Sequence, residues 1–284
     1  MREAEQITDV ITFHGEGPVW SLEWGGLRLV DMLAGGVLTL RDDGEVDRIT
    51  VGRVAAMVRP RADGGYVVAV ENGIGLADDL TAPPSRFVEL TDDDGVRMNE
   101  GTAAPDGSLY VGSMAWDGSP DGGRLYRVRP DGSTEVVLDP VSISNGMGFS
   151  PDHTLAYYAD SGTGRVDVFD VEDGGTLRRR RPFVEIAEDD GVPDGLVVDS
   201  QGAVWVAING GGQVRRYSPD GELAETVRVP VGGVTACTLG GPSLTDLFIT
   251  TSQEGEGDDP PPGAGAVFAT AVDVPGMPVL PFAG

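Results

Sequence analysis

Residues 142–166 read SISNGMGFSPDHTLAYYADSGTGRV. The second half is a Ser-Pro-Asp turn, a strand-forming run TLAYYAD, a glycine-rich turn and the start of another strand. The first half carries Asn145-Gly146, with no partner strand at hairpin distance. An Asn-Gly pair commonly serves a turn that needs positive φ. A side-chain amide is also a neutral oxygen ligand for a hard cation. The rest of the chain separates these two readings.

The strand in that stretch has relatives throughout the sequence. Apolar runs begin near Leu27 (LRLVD), Tyr66 (YVVAV), Leu109 (LYVGS), Leu155 (LAYYAD), Ala203 (AVWVAI) and Leu247 (LFITT), at intervals of about 40–48 residues. Most follow a turn such as RADGG, APDGS, SPDHT or VDSQG. Each precedes a second run that opens on glycine, among them GGRLYRVRPDG, GRVDVFDVEDG and GQVRRYSPDG. These second runs alternate apolar and polar residues, the mark of one buried face. No long amphipathic helix interrupts the series: TAPPSRFVEL carries prolines, and TLRRRRPFVEI reads as a charged turn entering a strand. We expect an all-β, six-bladed β-propeller over residues 1–284, built as one domain. The sixth blade lacks an outer strand at the C-terminal end, and the N-terminal run QITDVITF is expected to supply it.

Composition narrows the function. Asp and Glu number 46 against 20 Lys plus Arg, a formal charge of −26, and every basic residue is arginine. Such a surface repels phosphate backbones and anionic lipid, so no nucleic-acid or membrane partner is expected. Cys237 is the one cysteine, in the apolar context GGVTACTLGG; it reads as an inert core residue and excludes an internal disulfide. The N-terminus has no apolar signal region, and no run is long enough to cross a membrane as a helix. A cytoplasmic protein is the expectation; oligomeric state is not readable.

Four segments ahead of the apolar runs hold polar residues that a structural protein has little use for. They are FHGEGPVW (13–20), RMNEGTAAPDGSLYVGSM (97–114), the opening stretch, and GVPDGLVVDSQGAVW (191–205). Taken singly, Glu16 reads as a loop carboxylate, Arg97 as a surface cation, and Asn99, Asn145 and Asp194 as turn residues. Taken together, the Asn99, Asn145 and Asp194 positions fall about eight to twelve residues before three successive runs, Glu16 stands at the corresponding place before the first, and equivalent positions on neighbouring blades point at one axis. Glu16, Asn145 and Asp194 meeting there form an oxygen-only set with two negative charges, suited to a divalent hard cation. On this reading Asn145 is a ligand and not a turn former.

The ordered motifs GEGP (15–18), SNG followed by SPD, and PDG (193–195) resemble those of the SMP-30/gluconolactonase/LRE family, from GEGPVW to LFITT. The resemblance implies a six-bladed propeller with one divalent metal in its central channel and hydrolysis of sugar lactones. It implies Glu16, Asn145 and Asp194 as metal ligands, Asp194 also as general base, and Arg97 with Asn99 as substrate-binding residues. Two positions depart from the family pattern. Asn99-Glu100-Gly101 replaces Asn-Asp-Gly, and Ala115-Trp116-Asp117 follows GSM where some members place an acidic residue against the sugar. Asp117 is the corresponding substrate-binding candidate, and Trp116 is a candidate apolar or sugar-stacking wall.

The resulting expectation is a metal-dependent lactonase opening aldonolactones such as gluconolactone, with a small-molecule lactone as partner. Ca²⁺ is the first choice of ion, with Zn²⁺, Mg²⁺, Mn²⁺ and Fe²⁺ as alternatives. The competing expectation is a non-catalytic calcium-binding or interaction propeller. Only two histidines occur, His14 near Glu16 and His153 in a blade turn, which disfavours a Ser-His-Asp triad or a histidine-based mechanism. GEGDDPPPGAG (255–265) lacks EF-hand spacing and reads as an exposed loop.

Overall fold

The computed structural model describes residues 2–41 and 43–284. Its strands form six sheets: in four of them four antiparallel strands run in chain order from the axis outward, while the fifth gains an extra edge strand and the sixth its outer strand from the N-terminal segment. The first blade contains Gly15–Ser21, Gly26–Asp31, Gly36–Leu40 and Val46–Thr50. The innermost strands of the other five are Met57–Pro60, Val96–Ala103, Ser144–Phe149, Val192–Val198 and Val234–Gly240. Each innermost strand packs against those of its two neighbours, and the last returns to the first, so the six close a ring. This is a six-bladed β-propeller.

The apolar runs that announce the blades are second strands, one step out from the axis, and not the innermost ones. Tyr66–Val70 and Leu109–Ala115 are buried along their whole length. Both faces of a blade lie against neighbouring blades, so its second strand reads as a continuous apolar run instead of alternating. Apolar clusters fill the wedges between blades; one joins Val30, Met57, Val68 and Val111, another Trp205, Val227, Leu247 and Phe268. The outermost strands face water and carry charge. TLRRRRPFVE is one of them, a ten-residue strand Thr176–Glu185, where the sequence suggested a charged turn.

Closure uses both chain ends. Glu5–Gln6 pairs antiparallel with Val267–Ala271 as the outer strand of the sixth blade, and Arg2–Glu3 adds a short parallel edge to the fifth. The strand is confined to those few residues; beyond it, Ile11 and Thr12 hydrogen-bond Gly265 O at 3.2 and 3.1 Å. The C-terminal segment crosses the far end of the channel. Gly276 bridges Asp199 of the fifth blade, Phe282 bridges Arg61 of the second, and Ala283 N–H bonds Gly107 O of the third at 2.9 Å. Above this strap lies a cavity of about 360 Å³, its walls including Val19, Met147, Leu196 and Leu239 and its lower edge Met277–Leu280. Among the described residues no helix is long and apolar enough to cross a membrane.

Candidate active site

The innermost strands are interrupted at the residues singled out above. Pairing with the second strand slips between Glu16 and Val19, between Met98 and Gly101, between Ser144 and Met147, and between Pro193 and Leu196. A β-bulge at the same height on four blades re-aims the side chains there. The glycine after each has a packing reason. A Cβ on Gly146 would stand 2.3 Å from the Leu196 nitrogen, and one on Gly195 would stand 2.4 Å from the Ala236 Cβ. Asn145-Gly146 therefore makes no hairpin; glycine lets the next blade approach while asparagine points into the channel.

The bulges are pinned by residues at the ends of the second strands. Asp31 Oδ1 accepts the Phe13 and His14 N–H groups, both at 3.1 Å. Asp160 does the same for Ser142 and Ile143 at 3.1 and 3.0 Å. Asn145 Nδ2 donates to Ser161 Oγ at 3.0 Å, and Asn209 Nδ2 donates to Asp194 Oδ2 at 2.8 Å. Glu16 Oε2 accepts the Gly17 N–H at 3.0 Å. Asp31, Asp160, Ser161 and Asn209 were missed in the sequence, yet Asp ends both LRLVD and LAYYAD, a repeated polar stop after an apolar run.

Two acceptors are left over. Asn145 Oδ1 and Asp194 Oδ1 are fully buried and have no hydrogen-bond partner. Buried polar atoms are paired in the great majority of cases, and leaving one unpaired costs about 1–3 kcal/mol. A divalent cation held by these two oxygens and Glu16 would satisfy both. Among the described residues no three His, Cys, Asp or Glu side chains are placed to hold a metal ion by themselves, which makes the Asn145 amide a necessary member of such a set.

The electrostatics agree with a site built for positive charge. Burial pushes the Asp194 carboxyl up to about 7, with the Glu100 charge adding to the rise and the Asn209 amide opposing it. Burial raises Glu16 well above its ordinary range, and the charges of Asp194 and Glu100 add to that. Buried carboxyl groups such as Glu16 and Asp194, which disfavour each other's charge, are stable together once a cation lies between them.

Arg97 and Asn99 stand beside this set. Arg97 Nη1 donates to Asn99 Oδ1 at 2.7 Å and to Met98 O at 3.1 Å, and Asn99 Nδ2 donates to Ser144 O at 2.9 Å. Burial lowers the Arg97 pKa, against the pull of Glu254, Glu16 and Asp194. His14 is buried at the same rim. Its Nδ1 lies 2.7 Å from Ser252 Oγ and 3.0 Å from Glu254 Oε2, and its Nε2 lies 4.0 Å from Glu16 Oε1. Asp117 is not brought to the cluster. It is exposed in the turn after Leu109–Ala115, and its carboxylate accepts the Ser119 N–H at 2.9 Å. His153 is exposed in its turn at the far end of the channel.

Residues 14–253 match the SMP-30/gluconolactonase/LRE-like region. The chain belongs to this family. It is 33% identical to regucalcin of Danio rerio over 280 residues, covering 95% of both chains. Among solved structures, a calcium-binding regucalcin from Agrobacterium tumefaciens superposes with a TM-score of 0.93 at 25% identity, over 99% of this chain and 97% of the other. A gluconolactonase from Xanthomonas campestris gives 0.75 at 25% identity, over 95% and 89%. The six-bladed propeller is thus the fold of the family.

Proposed function

We propose that this chain is a divalent-metal-dependent lactonase that opens sugar (aldono-) lactones, gluconolactone among them, to the aldonic acid. The observation that supports it most directly is the pair of buried, partnerless oxygens on Asn145 and Asp194 beside Glu16. Glu16, Asn145 and Asp194 would hold the ion. Bound there, a divalent cation supplies Lewis-acid polarisation of the lactone carbonyl. Arg97 would present its guanidinium to a lactone oxygen, with Asn99 holding that guanidinium in place. Asp194 would take a proton from the water as it bonds to the lactone carbonyl carbon, and would return that proton to the ring oxygen as the acyl C–O bond breaks. Two carboxylates and one amide favour Ca²⁺, with Mg²⁺, Mn²⁺, Zn²⁺ and Fe²⁺ as the other candidates.

A non-catalytic calcium-binding propeller is the second reading, because the Agrobacterium relative is described as a calcium-binding protein. Chelator-stripped protein, assayed with a pH indicator on gluconolactone, xylonolactone and arabinolactone, separates the two. Turnover above the spontaneous rate is expected to return with one of the five cations. It should be lost in Glu16→Gln and in Asp194→Asn, which keeps a ligand oxygen but cannot take a proton. Cation binding with no turnover of any lactone would favour the second reading.

A further inference from the structure

Trp116 lies in the Ala115-Trp116-Asp117 segment, where some members of the family place an acidic residue against the sugar. It follows the second strand Leu109–Ala115, its N–H bonds Gly95 O at 2.9 Å, and its ring packs on the apolar cluster that contains Met32 and Met98. The Arg97 guanidinium carbon lies 5.6 Å from the centre of the indole ring, and that of Arg53 lies 4.5 Å from it. Arg53 is itself tied to Glu71 by a 2.6 Å ion pair at the rim. Arg97 is buried while Arg53 is largely exposed, so the indole lies between the channel and the outer rim.

The hydrogen bonds of Arg97 explain why an aromatic partner matters. Nη1 alone serves Asn99 Oδ1, Met98 O and, at 3.2 Å, the Met32 sulfur. These bonds hold the Nη1 edge of the guanidinium and leave its face toward the indole without a hydrogen bond. An aromatic ring within about 6 Å of the guanidinium carbon adds a cation–π attraction on that flank.

We propose that Trp116 is a positioning residue for Arg97: within cation–π distance of both the Arg97 and the Arg53 guanidiniums, it holds the Arg97 fork toward the lactone. The inference rests on the lactonase reading only for the identity of the ligand. It also accounts for Asp117, whose carboxylate caps its own turn, because in this chain the loop contributes an indole to the site and not an acid.

The test compares the wild type with Trp116→Leu, Trp116→Phe, Arg97→Gln and the Trp116→Leu/Arg97→Gln pair, with cation present. Trp116→Leu is expected to raise KM for gluconolactone and the calorimetric Kd for gluconate about tenfold, the scale of a desolvated cation–π contact. The value of kcat should stay within about twofold, since binding and not chemistry is weakened. Trp116→Phe, which keeps an aromatic face, should recover most of the loss. In the Arg97→Gln background Trp116→Leu should add nothing. Unchanged KM and Kd in Trp116→Leu, or an equal loss with and without Arg97, would overturn the proposal.

A third readout needs no substrate. The Nε–H proton of Arg97, shifted by the indole ring current in the wild type, should move in Trp116→Leu and stay put in Asp117→Asn. A signal that does not move refutes the contact. If the wild type opens no lactone with any cation, the lactonase reading fails, and this resonance still decides the role of Trp116.

Discussion

Arg59 and Glu100 form a buried ion pair across two neighbouring blades, with Arg59 Nη2 3.2 Å from Glu100 Oε1. Glu100 also accepts the N–H of Gly101 at 2.8 Å, so its carboxylate closes the bulge that carries Asn99 and ties it to the adjacent innermost strand. The longer side chain in Asn99-Glu100-Gly101, where the family pattern has aspartate, reaches a partner on the next blade. Burial raises the Glu100 carboxyl even so, with Arg59 pulling the other way.

The pair predicts an asymmetric response to mutation. Removing one member of a buried pair strands the other charge, at a cost of about 3–5 kcal/mol; replacing both with apolar residues costs far less. Arg59→Leu should therefore destabilise the protein strongly. Arg59→Leu/Glu100→Leu should be more stable than Arg59→Leu alone. Urea unfolding of the two variants checks this, and equal or additive losses would refute it.

Cys237 gives a second, simpler prediction. Its sulfur faces the Trp205 carbonyl at 3.7 Å in the wedge between the fifth and sixth blades, and burial pushes the thiol far above its usual range. Thiolate is the reactive form. Native protein at about pH 8 should leave Ellman's reagent unreacted, and unfolded protein should release one equivalent per chain. Rapid labelling of the native state would show that this wedge opens.

The blade count was legible because second strands are buried on both faces and print unbroken apolar runs such as YVVAV and LYVGS. The innermost strands were disguised. SNGMGF reads as a turn because its glycines, which serve close inter-blade packing at Gly146 and the bulge, look like glycines placed for positive φ. The alignment of Glu16, Asn145 and Asp194 could be read from spacing, since one blade repeats another. The pairings His14 with Glu254, Arg59 with Glu100 and Arg53 with Trp116 could not. They join distant or non-equivalent positions, and no periodicity relates their members.

Asp117 tests how far the family pattern carries onto this chain. Its carboxylate is solvent-exposed and occupied by the Ser119 N–H, whereas Arg97 is buried beside the oxygen cluster. Asp117→Asn should leave kcat/KM for gluconolactone within about twofold of wild type, the scale of an exposed surface change. Arg97→Gln should lower it about ten- to a hundredfold, as expected for losing a charged hydrogen bond. Comparable losses in the two variants would place the Asp117 loop against the substrate.

The raised carboxyl groups make the stability of the metal-free protein depend on pH in a defined direction. Asp194 titrates near 3.8 when unfolded and at about 7 when folded, so between these values the native state holds a proton that the unfolded chain has released. With more protons bound in the native state, stability falls as pH rises. The contribution is fully present below about 4 and is lost as pH passes through about 7. Glu16, raised by burial and by its neighbours' charge, acts in the same sense. A divalent cation that takes the place of those protons should stabilise little at about pH 5 and strongly at about pH 8, because its ligands must be deprotonated. Melting curves of chelated and Ca²⁺-loaded protein across this range measure the difference. In Asp194→Asn the metal-free decline should be shallower and the Ca²⁺-induced rise smaller. A Ca²⁺ effect of equal size at both pH values, or identical profiles for wild type and Asp194→Asn, would separate Asp194 from the cation site.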